Sequence, residues 1–147
     1  MTAETNKSII RRFLEYHLNK GITEGLEAIV SPDYEEIHEG VRYKLGLKGA
    51  KEHILSVRKV YPDLQLTIER QIAEGEWVAT CITASGTHLG NWANIPPSGK
   101  RITYTGVNVD RIVNGRIVEH GGAANMLFQL LETGAIEIRK QLKLIQT

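Results

Sequence analysis

The chain contains one cysteine, Cys81, so no intrachain disulfide and no cysteine-built metal site can form. Cys81 sits in an apolar, strand-like run, where an unpaired cysteine behaves as a small buried hydrophobe. The chain also lacks an excess of charge: 18 Lys and Arg stand against 17 Asp and Glu, for a net charge of +1. Nucleic-acid binders gather basic residues on one face. The densest basic stretch here, Arg139-Lys140-Gln141-Leu142-Lys143, carries too few charges for a groove that tracks phosphates. No apolar run approaches the roughly 20 residues of a membrane span, and the opening Met1-Thr2-Ala3-Glu4-Thr5-Asn6 is polar and acidic, unlike a signal peptide. A cytoplasmic protein without membrane or nucleic-acid partners is expected. Five histidines raise the question of a metal, but none stands in His-x-x-x-His or close strand spacing, so no metal site is expected. Repeats, linkers and low-complexity segments are missing too.

The 147 residues, 41% hydrophobic and 24% charged, suit one globular domain with a real core. Thr5 or Asn6 can cap a first helix, with Ile9, Ile10, Phe13, Leu14, His17 and Leu18 at helical spacing before Asn19-Lys20-Gly21 stops it. A short second helix is expected from about Thr23 to Val30, broken by Ser31-Pro32-Asp33. Tyr34 to His38 reads as a short strand, and residues 41–47 give no clear pattern. A third helix is expected from about Gly49 to Val60, ended by Tyr61-Pro62-Asp63 because proline disfavours helical geometry in the preceding residue. The period then changes to two. Leu64, Leu66 and Ile68 alternate with polar residues, Trp77–His88 and Arg101–Val113 are long strands, and Asn114-Gly115 turns a hairpin into a return strand from Arg116 to Gly121. A last helical segment begins near Ala124. Helices first and antiparallel strands after give an α+β pattern, with helices on one face of a curved sheet.

Four motifs fall in a familiar order. They are Ile10-Arg11-Arg12-Phe13 with Asn19-Lys20-Gly21; Gly49 with Val60-Tyr61-Pro62-Asp63-Leu64; Gly86-Thr87-His88 with Ile95-Pro96-Pro97-Ser98-Gly99-Lys100; and Asn114-Gly115-Arg116-Ile117-Val118-Glu119-His120. Over about residues 6–134 the chain resembles the SnoaL-like polyketide cyclases of the nuclear transport factor 2-like/ketosteroid isomerase-like superfamily. The resemblance implies a cone-shaped curved antiparallel sheet with N-terminal helices around a hydrophobic cavity, one domain spanning 1–147 with a helical tail at 135–147, no cofactor, and a homodimer. Thr103, Thr105, Val107 and Val109 would provide the flat outer face for that dimer. The sequence departs from the family after His120. Members commonly continue Glu-His-Trp-Asp with a further Asp three residues on, whereas Gly121, Gly122 and Asn125 stand here. The aspartate to which the family's aldol ring closure assigns acid/base work is therefore missing, and the two glycines remove bulk from the expected cavity wall.

His120, at a strand end, is either a general acid or base or a histidine satisfied by backbone groups. Asn125 is its expected helper. Tyr104 and Asn108 share one face of the 101–113 strand with Ile102, Gly106 and Asp110. If that face points inward, Tyr104 and Asn108 are donors to an oxyanion and Asp110 is a strand-borne carboxylate; periodicity leaves the choice of face open. His88 either orders the following loop or meets substrate, His38 sits near the pocket mouth, and His53 is expected to be exposed. Tyr16 points to cavity or solvent, Trp92 is a lid or a loop anchor, and Met126 is either core or a ligand contact.

The leading expectation is a cofactor-independent cyclase or isomerase acting on a hydrophobic polyketide- or terpenoid-like molecule. It would use acid/base catalysis centred on His120 rather than on the usual aspartate. Opening or cyclising an epoxide is a variant. A non-catalytic binding or assembly domain, and a subunit completing another protein's site, are the alternatives from other classes.

Overall fold

Helix α1 (Ala3–Arg11) begins at Thr2, whose extended backbone and hydroxyl, accepting from the Thr5 N–H, make the cap. The cap therefore lies three residues before the Thr5 expected from the pattern. Asn6 is used differently: its amide donates to the Gly75 carbonyl at 3.1 Å and ties the helix to a strand turn. Beyond Arg11 the coil widens into a π-helical stretch, Arg12–Leu18, so the apolar stripe continues through the buried Phe13, Leu14, His17 and Leu18. This computed structural model describes residues 1–139.

Six strands follow: β1 (Val30–His38), β2 (Val41–Lys44), β3 (Gln65–Glu74), β4 (Trp77–Thr87), β5 (Arg101–Val113) and β6 (Arg116–Asn125). Helix α2 (Gly46–Val60) lies between β2 and β3, and α3 (Leu127–Glu132) follows β6. The sheet runs β2-β1-β6-β5-β4-β3, with its two edges unjoined. Every neighbouring pair is antiparallel except β1 and β6, which are parallel. This corrects the all-antiparallel expectation. No hairpin joins β1 to β6, so no short turn dictates their direction.

Two turns have the left-handed geometry that a two-residue hairpin requires. Asn114 and Gly115 have φ of 50° and 78°, as their sequence announces, and Glu39 and Gly40 have φ of 52° and 78°. The second turn makes residues 41–44 a strand, although their sequence shows no clear pattern. The expected helix over 23–30 shrinks to a single 3₁₀ turn, Leu26–Ala28. Gly25, at φ 78°, interrupts it, and Val30 already pairs with Ile117 of β6. Helix α2 starts three residues earlier than expected, and β6 extends four residues past Gly121. The part of the expected tail helix at 135–139 is irregular; the rest, 140–147, lies outside the described residues.

Bulges between Ile68 and Arg70 and between Arg111 and Ile112 interrupt the register, and such bulges bend a sheet. Burial then separates its faces. On β5, Ile102, Asp110 and Ile112 are buried and Tyr104, Gly106 and Asn108 half-buried, whereas Thr103, Thr105, Val107 and Val109 are exposed. The first set faces the helices across a core containing Ile10, Leu14, Leu26, Ile54 and Ile117. Tyr104, Asn108 and Asp110 are thus on the inner face.

Candidate active site

Three adjacent strands place three ionisable residues side by side. Glu36 on β1 is the register partner of His120 on β6, and His120 is the partner of Asp110 on β5. The Asn114-Gly115 hairpin sets Val113 opposite Arg116, and the bulge between Arg111 and Ile112 shifts the register by one residue, which brings Asp110 opposite His120 rather than Glu119. Asp110 is 1% exposed, and its Oδ1 accepts a hydrogen bond from His120 Nδ1 at 2.6 Å. With the proton on Nδ1, His120 Nε2 is left on the side of the ring away from Asp110. Phe13 and His53 stand near that ring, at centroid distances of 6.0 and 6.2 Å. Burial alone would lower the His120 pKa. The Asp110 charge and hydrogen bond, with the Glu36 charge behind them, outweigh burial and raise it above the ordinary histidine value.

Glu36 is buried among donors. Tyr34 Oη donates to Oε1 at 2.9 Å, His38 Nε2 lies 3.2 Å from Oε2, and His53 Nδ1 lies 2.9 Å from Oε1 and 3.0 Å from Oε2. Burial would raise the carboxyl pKa, but the His53 hydrogen bond and charge, the His120 charge and the Tyr34 hydroxyl together lower it to about 2. Burial and the neighbouring Glu36 push the Tyr34 phenol up, so it stays a donor at neutral pH. Two buried carboxylates would be costly without partners. The partners bonded to them here are imidazoles and a phenol, and imidazoles change charge within the physiological range.

The result is two carboxylate–histidine pairs, Asp110–His120 and Glu36–His53, with their imidazoles edge to face. His53, expected on the exposed side of its helix, instead turns Nδ1 inward. Its side chain is 31% exposed and closes over Glu36. His38 stands at the rim, with its side chain 57% exposed. Glu36 and Tyr34 belong to no motif of the sequence. Their signal was available in the period-two spacing of Tyr34, Glu36 and His38, which puts all three on one face of a strand.

Other candidates are dispersed. Asn125 pairs with Thr105 and belongs to the outer face, where it borders an open groove of about 620 Å³ with Cys81, Thr83, Val107 and Ala123. It lies across the sheet from His120, which corrects the expectation that it assists there. Tyr16 is exposed under Lys20, with Nζ 5.0 Å from its ring, and lines no interior. Trp92 is half-buried against the core and held by backbone bonds with Ile95, so it anchors its loop. Met126 is buried in the core. His88 is buried beside Tyr61 at the other end of the inner face, with ring centroids 5.6 Å apart.

The glycines after His120 do not widen the interior as expected. Gly122 has φ 143°, and a Cβ there would lie 2.2 Å from the Val107 carbonyl oxygen and 2.9 Å from Asn108 Cα. A Cβ on Gly121 would lie 3.2 Å from the Ile37 carbonyl oxygen. Neighbouring backbone occupies the space, so the position of the missing acid has no room for a side chain.

Helices laid on the inner face of an unclosed, bent sheet define the nuclear transport factor 2-like class of small α+β proteins. Within that class, the chain belongs to the SnoaL-like polyketide cyclase family, whose model matches residues 8–132. It is 28% identical over 106 residues to the nogalonic acid methyl ester cyclase of Streptomyces nogalater, covering 69% of this chain and 78% of that protein. Among solved structures, it superposes on AclR of Streptomyces galilaeus, a candidate hydroxylase, with a TM-score of 0.77 at 26% identity over 95% of this chain and 91% of that one. TsrD of Streptomyces laurentii shares the fold, with a TM-score of 0.80 at 24% identity over 92% and 99% of the two chains. Family membership supports a cyclase-type function. No helix among the described residues is long and apolar enough to cross a membrane.

Proposed function

We propose that the chain is a single-domain, cytoplasmic, cofactor-independent cyclase or isomerase. It moves protons on a hydrophobic polyketide- or terpenoid-like substrate with histidines in place of the family's aspartate. The observation that carries this reading is the buried 2.6 Å bond between Asp110 and His120, which orients the imidazole and raises its basicity. His120 Nε2 takes a proton from the carbon next to a substrate carbonyl. The enolate carbon then attacks a second carbonyl of the same molecule, and the electron pair of that C=O bond moves to its oxygen. His53, held by Glu36 at 2.9 Å, gives its proton to that oxygen, and the proton taken up by His120 then passes through solvent to His53, so both imidazoles are restored and the product is an isomer of the substrate. Confinement against Phe13 and His53, whose rings stand near His120, supplies the folded conformer that the closure needs. Asn108, two residues from Asp110 on the same strand face, donates to the enolate oxygen.

The test is turnover in His120→Ala and Asp110→Asn. Loss of both supports the dyad. Unchanged turnover in His120→Ala would move the acid/base role to another residue, and binding without conversion by the wild-type chain would return it to a binding or assembly role.

Self-association is a second part of the proposal. Val107 and Val109 are 41% and 42% exposed on the outer face, and Ile72 and Trp77 lie beside them, 62% and 44% exposed. Covering this surface with a second copy removes it from water. A single monomeric species in sedimentation at high concentration would reject the homodimer.

A further inference from the structure

Three rings form a second polar cluster at the opposite end of the inner face. Tyr61 follows the last residue of α2, Tyr104 lies on β5, and His88 lies just past β4. Tyr61 is the middle ring, with centroids 5.6 Å from His88 and 6.5 Å from Tyr104.

The ring tautomer of His88 follows from its surroundings. Its backbone N–H donates to the Lys100 carbonyl at 3.0 Å, and its carbonyl accepts from the Gly99 N–H at 2.9 Å. Its Nδ1 lies 3.3 Å from the Ser98 backbone nitrogen. A backbone N–H can only donate, so Nδ1 accepts and the ring proton of the neutral imidazole is on Nε2. That Nε2 has no partner, although His88 is 0% exposed. The Tyr61 hydroxyl is likewise without a partner in a residue 5% exposed.

Two neighbouring donors therefore carry a desolvation penalty with nothing in return, an arrangement that folded chains rarely keep without a use. The nearby Asp63 carboxylate does not relieve them, since it accepts from the Thr87 N–H and hydroxyl, both at 2.6 Å. Burial, with Tyr104 adding to it, pushes the Tyr61 phenol up to about 12, and burial raises Tyr104 as well. All three groups can thus offer hydrogen atoms at neutral pH, and they meet no buried carboxylate of the other cluster.

We propose that Tyr61 and His88, with Tyr104 beside them, form a subsite for a carbonyl oxygen at the end of the ligand remote from His120. The proposal rests on the reading of the interior as a small-molecule site and adds the ligand's chemistry there. Tyr104 and Asp110 are six positions apart on β5, about 20 Å along a straight strand. The fitting ligand is extended, of several fused rings or an equivalent chain, with an acceptor oxygen at its far end.

Fluorenone and fluorene provide the test, because they share a shape and differ in a carbonyl against a methylene. Calorimetric titration of the wild-type chain should give about tenfold tighter binding of fluorenone, the scale of one good hydrogen bond. Tyr61→Phe should reduce that ratio severalfold, leave fluorene affinity unchanged, and leave the melting temperature of the unliganded protein unchanged or raised. His88→Phe should also reduce the ratio. His120→Ala should preserve it, so this subsite and the catalytic reading can fail separately. Equal affinity of the wild type for both compounds, absence of binding by either, an unaltered ratio in Tyr61→Phe, or a melting temperature lowered by several degrees in that variant would each overturn the proposal.

Discussion

The two ends of the inner sheet face treat buried polarity in opposite ways. Around Glu36, Asp110, His53 and His120, each carboxylate is bonded to an imidazole, and the group holds charge that responds to pH. Around Tyr61, His88 and Tyr104 the groups are hydrogen-bond donors, two of them without partners. The first arrangement is complete in the unliganded chain and suited to moving protons. The second lacks an acceptor and is suited to holding an oxygen. The comparison separates chemistry from positioning on one bent sheet, and it can be broken at either end.

The largest effect is expected at the charged end. His120→Ala should lower turnover about 10²-fold or more, the scale of general acid–base catalysis, measured as kcat at saturating substrate. A strong structural effect is expected between the two ends. Gly122→Ala should destabilise the fold by about 3 kcal/mol or more, because its Cβ would lie 2.2 Å from the Val107 carbonyl oxygen. Urea unfolding measures this, and restoring an acid at residue 122 should fare no better.

Next comes Glu36→Gln, expected to cost about 2 kcal/mol through the lost charge-assisted bonds. The same carboxylate sets the acid limit of stability. Its folded pKa of about 2 lies below the ordinary 4.5, so its contribution is present above pH 4.5 and is lost as pH falls toward 2. The contribution of His120 has the other sign. Its pKa is raised in the folded chain, so its stabilisation is full below the unfolded histidine value and disappears as pH rises through the folded one. Unfolding free energies over a pH series should therefore decline on both sides, with the acid limb flattened in Glu36→Gln. The smallest effect is expected at Asn125→Asp. On the outer face opposite His120, it should change turnover less than about twofold, within the ordinary range of surface substitutions.

Much of the frame was legible in the sequence because it is written in local chemistry. Asn114-Gly115 specified a hairpin, and the alternation from Arg101 to Val113 gave β5 its observed bounds. What local pattern could not supply was pairing between distant segments. The parallel alignment of β1 with β6 brings Glu36 beside His120, and no short-range signal announces it. His53 departs from its local pattern for the same reason: helical spacing places it near the edge of the apolar stripe, and only the buried Glu36 draws its ring inward. Asn125 shows the converse. Its nearness to His120 in sequence suggested partnership, but five positions along a strand put it on the other face. The missing acid at Gly122 was visible, whereas the backbone of β5 that excludes any side chain there was not.

The central claim is that Asp110 makes His120 a stronger base than a histidine in water. Titrating the His120 ring protons by NMR in the wild-type chain and in Asp110→Asn tests it without a substrate. The account predicts a wild-type pKa above the ordinary 6.5 and a clear fall in Asp110→Asn, where burial is no longer offset by the adjacent charge. A wild-type value at or below 6.5, or one unmoved by Asp110→Asn, would contradict it.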